Sequence, residues 1–182
     1  MVKIYKLKLT NLQQEILRLL FIKVGISLNQ RGIAKILGVS QPAVMKALPV
    51  LEKEGLVNLD QDKESKRWSI KLNRDNHKVI QMKRVDNFKQ IYESGFVDFI
   101  ESEFAGATII IFGSYSRGED NIDSDIDIAI IGRKKKDVNI EKYNQLFERI
   151  ININYYDSWN KIHKHLKENL CNGFIIAGGV EL

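Results

Sequence analysis

The sequence predicts an α+β chain in which helices come first and strands later, and three patterns carry that prediction. Apolar residues recur at helical spacing between Leu12 and Leu51, with a cap or stop residue at each expected end. Trp68, Ile70 and Leu72 then alternate with polar neighbours, as on a half-buried strand. Further on, an apolar run at 109–112 and a second apolar strand at 126–131 that begins with an Asp-x-Asp pair flank a polar, glycine-containing loop and read as buried strands.

The elements follow in order. Thr10 with Gln13 three residues on forms a capping-box signature, and Leu12, Ile16, Leu19, Leu20 and Val24 continue it as a helix to Gly25. A second short helix is expected from about Asn29 through Ile33, Ala34, Ile36 and Leu37, followed by a tight turn at Gly38-Val39. Ser40 caps a third helix with Val44, Ala47, Leu48 and Leu51 on one face, stopped by Gly55. Pro42 lies in its first turn, where a missing N–H costs nothing, whereas Pro49 is expected to kink the helix or end its regular part. Leu56-Val57-Asn58-Leu59, a charged turn over 60–65, and the run from Lys66 to Leu72 read as a β-hairpin.

Length and composition bound what the chain can be. Its 182 residues suit one ordinary domain or two small ones. Only two prolines, with aromatic and β-branched residues throughout, exclude disorder as the main state. A single cysteine leaves no partner for an internal disulfide or a cysteine-based zinc site. No apolar stretch approaches the roughly 20 residues of a membrane span. The opening MVKIYKLKLT lacks the apolar core of a secretory signal, so a cytoplasmic protein is expected. The net charge of +5 is unevenly divided: residues 1–90 hold 18 Lys/Arg against 8 Asp/Glu, and residues 91–182 hold 10 against 15. A basic first half points toward a polyanion, with a merely solvated lysine-rich surface as the alternative.

Three helices followed by a hairpin is the order of a winged helix, and RGIAKILGVSQPAVMKALPVLEKEGLV resembles the helix-turn-helix of winged-helix regulators along its length. The resemblance implies a DNA-binding domain over residues 1–74. Ser40, Gln41, Ala43 and Lys46 would face the major groove of double-stranded DNA, and Lys63, Lys66 and Arg67 would lie on the wing toward phosphates. A protein-interaction module is the competing use of this fold. Residues 75–104 read as a helical connector, unbroken except at Ser94-Gly95. Its stripe of Val85, Phe88, Ile91, Tyr92, Phe96, Phe99 and Ile100 is expected to pack into a core, or alternatively to form the seam of a homodimer.

The densest chemistry lies in GSYSRGEDNIDSDIDIAI, residues 113–130. Residues two apart on a strand share a face, so Asp125 and Asp127 present their carboxylates together. Two such charges repel unless a cation lies between them, and a hard dication sharing phosphate oxygens is the natural occupant. Gly113 allows close backbone approach, Ser114 offers a hydroxyl and an N–H to phosphate, and Arg117 offers a fork of donors. That combination resembles the signature of the nucleotidyltransferase superfamily related to DNA polymerase beta, in particular the minimal nucleotidyltransferases, at Gly113, Ser114, Arg117, Gly118, Ser124, Asp125 and Asp127.

The resemblance covers about 105–182 and implies a small mixed-sheet fold. It also implies catalytic Asp125 and Asp127 coordinating two Mg²⁺ ions, and nucleotide binding at Gly113, Ser114, Arg117 and Ser124. NMP, with ATP the expected donor, would pass to a hydroxyl. The acceptor implied is a tyrosine of a partner protein such as a HEPN-type toxin, which would make the chain an antitoxin. The chain departs from the family pattern where a third carboxylate is expected: the strand around 150–156 offers Asn152 or Asn154 instead. An amide cannot accept the attacking hydroxyl's proton. The alternative function is therefore a DNA-binding regulator that binds nucleotide without turnover. Arg133-Lys134-Lys135-Lys136 reads as a solvated loop, and His77, His163 and His165 lack metal-ligand spacing. A surface helix is expected over 157–169, and Cys171 is expected in the core.

Overall fold

Residues 9–64 and 66–180 are described by the structure, a computed structural model. The opening segment 1–8, read above for a secretory signal, and Ser65 of the hairpin turn lie outside the described residues. The chain divides into two compact units, residues 1–79 and 80–182.

In the N-terminal unit the capping box forms as its spacing predicts. The Thr10 side chain accepts from Gln13 N while Gln13 Oε1 accepts from Thr10 N, and helix α1 runs Asn11–Ile22. Asn29 caps α2 (Gln30–Leu37) by accepting from Gly32 N at 2.8 Å. Ser40 caps α3 (Gln41–Lys53) through Ala43 N. The apolar faces meet in a core of Ile16, Leu20, Ile33, Val44, Leu48, Leu51, Leu56 and Ile70, all essentially buried. The expected end of regular helix at Pro49 is corrected: α3 continues through it to Lys53. Ala47, Leu48 and Leu51 are buried on either side of the proline, and that burial offsets the one backbone hydrogen bond Pro49 cannot donate.

Strands β1 (Val57–Gln61) and β2 (Trp68–Leu72) form the expected hairpin, with Leu59 opposite Ile70 and Gln61 opposite Trp68. A further contact has no counterpart in the sequence pattern. Leu28 bridges Ile70 through two backbone bonds of 3.0 and 2.7 Å, so β2 is held on both sides at its buried residue. Helices packed on a hairpin in this order make a winged helix.

Helix α4 (His77–Glu93) crosses the boundary between the units in its first turn, and α5 (Phe96–Glu103) follows the break expected at Ser94-Gly95. Ser94 Oγ donates to Ile91 O and accepts from Phe96 N, which closes one helix and opens the next. The segment set apart above as a connector contributes Ile91, Phe96, Val97, Ile100 and Phe104 to the core of the C-terminal unit. Its stripe is not uniformly buried: Val85 and Tyr92 are 68% and 47% exposed, a correction to the core assignment.

The remaining elements are β3 (Thr108–Phe112), α6 (Gly113–Arg117), β4 (Ile126–Ile131), α7 (Glu141–Phe147), β5 (Ile151–Tyr156), a 3₁₀ turn at Trp159–Lys161, α8 (Lys164–Cys171) and β6 (Phe174–Ala177). The sheet order is β5-β4-β3-β6, antiparallel except for the parallel pair β4/β5. Both faces are covered. Ile109, Ile111, Ile126, Ile128 and Ile130 enter one core with α5 and α7, while Ile110, Phe112, Ala129 and Ile131 enter another with Ile162 and Leu170. This double burial is why β3 and β4 are apolar at almost every position.

Two expectations fail at the C-terminal end. The helix expected over 157–169 is broken, because Ile162 takes an extended conformation and buries its side chain beside Leu170. Cys171 is exposed, not part of the core. Strand β6, four residues between glycines, was not anticipated. No helix among the described residues is long and apolar enough to cross a membrane. Because Cys171 faces solvent, a thiol reagent should label the native protein to completion as fast as the denatured protein; slow labelling until denaturant is added would return it to the core.

Candidate functional site

Sheet register assembles the acidic site. Phe112, the last residue of β3, pairs with Asp127, and Asp127 pairs across the parallel ladder with Asn152. The turn at Gly113 and the amide of Asn152 therefore converge on the carboxylate of Asp127 from neighbouring strands. Gly113 has φ +76°, and a Cβ added there would stand 2.7 Å from Asp127 Oδ2. The close approach anticipated at this glycine is thus first of all an approach to the protein's own aspartate.

Of the two candidates for the third position, Asn152 is the one at the acidic pair. Its Nδ2 donates to Asp125 Oδ2 at 2.8 Å, and its side chain lies beside Asp127 across the ladder. Asn154 lies one pleat further along and reaches toward Ile128 O instead. Burial raises the Asp127 carboxyl above the ordinary carboxylate range; the Asn152 amide opposes the rise and the charge of Asp125 adds to it. Burial, with the charge of Asp127 behind it, also raises the phenol of Tyr156, on the same face of β5 as Asn152. The site carries excess negative charge in partly desolvated surroundings, and a dication would relieve it.

The other candidates divide by what they hold. Ser114 sits in α6, half-buried at the turn that follows β3, and its carbonyl accepts from Glu119 N at 3.0 Å. Arg117 is partly exposed, with Nε on Glu119 at 2.7 Å. Ser124 Oγ accepts from Asn121 N at 3.0 Å, so its hydroxyl shapes the loop entering β4. Asp125 immediately precedes β4 and Asp127 lies within it. Sequence reasoning passed over Ser116, which is buried and donates to Gly113 O at 2.9 Å, bracing the turn from within. It also passed over a buried polar cluster of Lys83, Asn87, Asp120 and Arg149. Sequence carries no signal for that cluster, because its members are scattered through the chain and only the fold gathers them. In the loop after β4, Arg133 donates to Ala105 O and Lys136 pairs with Glu103, so those two cations brace the fold.

Among the described residues no group of three or more His, Cys, Asp or Glu side chains gathers as a metal site. Two carboxylates and an amide fit one Mg²⁺ completed by water and phosphate oxygens, which is how that ion is commonly held. They do not supply the third charge that the resemblance leads one to expect for a second ion.

In the N-terminal unit a groove is lined by Asn29, Gln30, Arg31, Gln41, Lys66, Arg67 and Trp68. It brings Gln41 together with two of the three wing cations and adds Arg31, which the sequence pattern did not single out. Ser40, Lys46 and Lys63 are exposed outside its lining and Ala43 is half-buried. The Ser40 hydroxyl is engaged as the cap of α3.

Comparison with known proteins agrees with this architecture at the C-terminal end. Residues 93–174 match the family model of the nucleotidyltransferase domain. No curated protein matches the chain. Among solved structures, a mutant of MepR from a multidrug resistant S. aureus clinical isolate is 28% identical over 42% of this chain and 56% of that one, with a TM-score of 0.37. The adhesin competence repressor AdcR from Streptococcus pyogenes is 24% identical over 54% and 69%, with a TM-score of 0.42. The S. aureus MepR–DNA complex is 24% identical over 52% and 77%, with a TM-score of 0.39. This chain spans a little over half of the first of these, 56%. The molecule thus joins a unit with the helix and hairpin order of a winged helix to a unit that matches the nucleotidyltransferase domain model over residues 93–174.

Gly113→Ala should disturb the acidic site without unfolding the sheet. The added methyl group meets Asp127 and the left-handed φ strains any L-residue, so affinity for Mg²⁺ with an ATP analogue should fall at least about tenfold by calorimetric titration. Unchanged affinity would show that Asp127 need not be held against this turn.

Proposed function

We propose that the chain binds double-stranded DNA through its N-terminal unit and transfers a nucleoside monophosphate in its C-terminal domain, with ATP as donor and a hydroxyl as acceptor. The observation that carries the second half is the pairing of Asp125 and Asp127 at the end of a buried sheet, against the glycine turn that opens α6. Asp125 and Asp127 would hold Mg²⁺; Gly113, Ser114 and Arg117 would meet the triphosphate. When bound, the ion supplies charge neutralisation at the phosphates. The acceptor oxygen forms a bond to the α-phosphorus, the bond to the β-phosphate bridging oxygen breaks, and pyrophosphate leaves. Asn152 cannot take the acceptor's proton, so that proton passes to solvent.

A tyrosine of a partner protein such as a HEPN-type toxin is the acceptor that the family resemblance suggests, and a cytoplasmic antitoxin the corresponding role. One observation favours a second reading, in which nucleotide binds without turnover: the amide of Asn152 occupies the place of a third acid beside Asp125. Radiolabelled ATP, Mg²⁺ and a candidate HEPN-type partner separate the two. Transfer by the native protein that vanishes in Asp125→Ala/Asp127→Ala, and that rises at least about tenfold in Asn152→Asp, supports the transferase. Saturable ATP binding with no transfer selects the nucleotide-binding regulator.

The DNA-binding half rests on the groove that gathers Gln41, Arg31, Lys66 and Arg67. Affinity for a mixed-sequence duplex should fall steeply with salt, and Lys66→Ala/Arg67→Ala should lessen the logarithmic salt slope by about 1–2. A slope near zero in the native protein would point to a protein-interaction module instead.

A further inference from the structure

The buried ionisable side chains of the C-terminal unit cluster at one place that the transfer chemistry does not use. Lys83 and Asp120 are each 1% exposed and ion-paired; Asn87 and Arg149 are buried beside them. Asn87 Nδ2 donates to Asp120 Oδ1 at 2.8 Å, and Lys83 Nζ reaches Asn87 Oδ1 at 3.3 Å. Arg149 Nη2 stands 3.6 Å from Asp120 Oδ2.

Each contact leads to a segment that carries the acidic site. Asn87 Nδ2 also donates to Tyr115 O at 2.9 Å, and the Tyr115 hydroxyl donates back to Asn87 O at 3.3 Å. Tyr115 follows Ser114 in α6, a helix of five residues that is too short to hold its own conformation. Asp120 lies in the loop joining α6 to Asp125. Arg149 directly precedes Ile150, whose carbonyl accepts from Ile126 N at 2.8 Å at the start of β4. Gly118, between these segments, presses on α4 so closely that a Cβ would stand 2.5 Å from Ile80 O.

We propose that Lys83 and Asp120 are positioning residues for the nucleotide site, their buried ion pair fixing the loop from Ser114 to Asp125 so that the phosphate-facing turn and the acidic pair keep one geometry. A buried ion pair is a poor source of stability, since apolar side chains of the same volume commonly do as well. What it supplies here is direction: Asp120 is tied through Lys83 to α4, and through Arg149 to the approach of the strand bearing Asn152. Burial pulls the Lys83 ammonium below its ordinary pKa, and the charge and hydrogen bond of Asp120 oppose that shift. The pair acts on Asp125 and Asp127 through the loop.

The inference rests on the nucleotide-binding reading given above, and the experiment keeps the two apart. Full-length protein is titrated with a fluorescent ATP analogue in Mg²⁺, and separately with a mixed-sequence DNA duplex at low salt. Lys83→Met/Asp120→Asn, which leaves neither charge of the pair stranded, should weaken analogue binding at least about tenfold. Its DNA affinity should stay within about twofold of the native value, because the groove belongs to the other unit. Lys83→Arg, which keeps the charge, should retain most of the analogue affinity. If the double variant does not fold, Lys83→Gln/Asp120→Asn, which also strands neither charge of the pair and keeps polar side chains in the cluster, serves in its place with the same expectation. Native analogue affinity in a folded variant, even one with a lowered melting temperature, would reduce the cluster to a purely structural role. Failure of the native protein to bind the analogue would overturn the nucleotide reading and this inference with it.

Discussion

Two carboxylates held side by side at the end of a rigid sheet repel one another, and the C-terminal unit is organised around keeping them there. β3 and β4 are apolar on both faces and cannot shift register without carrying a row of isoleucines out of one core and into the other. That rigidity sets Phe112 against Asp127 and Asp127 against Asn152. A flexible loop would let the charges separate into solvent. A strand locked by its neighbours holds them together, and under the proposed function a bound cation would relieve their repulsion.

Under the proposed function the two units would meet polyanions by different physics. In the winged helix, Lys66 and Arg67 lie at the turn of a hairpin whose strand β2 pairs with β1 on one side and bonds Leu28 through Ile70 on the other. Their charges act through water at range, and salt screens them. At Asp125 and Asp127 the side chains would share the sign of a phosphate, so that a metal would have to lie between them. On that reading the uneven charge along the chain would divide two modes of recognition.

What could be read from the sequence was what is local in it. Capping boxes, glycine stops and strand alternation depend on residues a few places apart, and the helices and hairpin of the N-terminal unit formed accordingly. The Gly-Ser and Asp-x-Asp elements were legible for the same reason, lying on consecutive strands joined by one loop. Choosing between Asn152 and Asn154 required the parallel register of β4 with β5, which no local pattern states. Lys83 and Asp120, 37 positions apart, are joined only by tertiary structure. Pro49 and the broken segment around Ile162 misled in opposite directions: burial carried one helix through a breaker and interrupted another that had none.

Asparagine and aspartate have the same shape, and their codons differ by a single base. At position 152 the side chain already hydrogen-bonds Asp125 of the acidic pair from a strand held in place along β4. A lineage carrying this fold can therefore gain or lose the third negative charge in one mutational step, with no loop to rebuild and no core to repack. Under the proposed function, whether the domain turns over a nucleotide or only holds it would be, in evolutionary terms, a choice of one atom, reversible for as long as the sheet beneath it is kept.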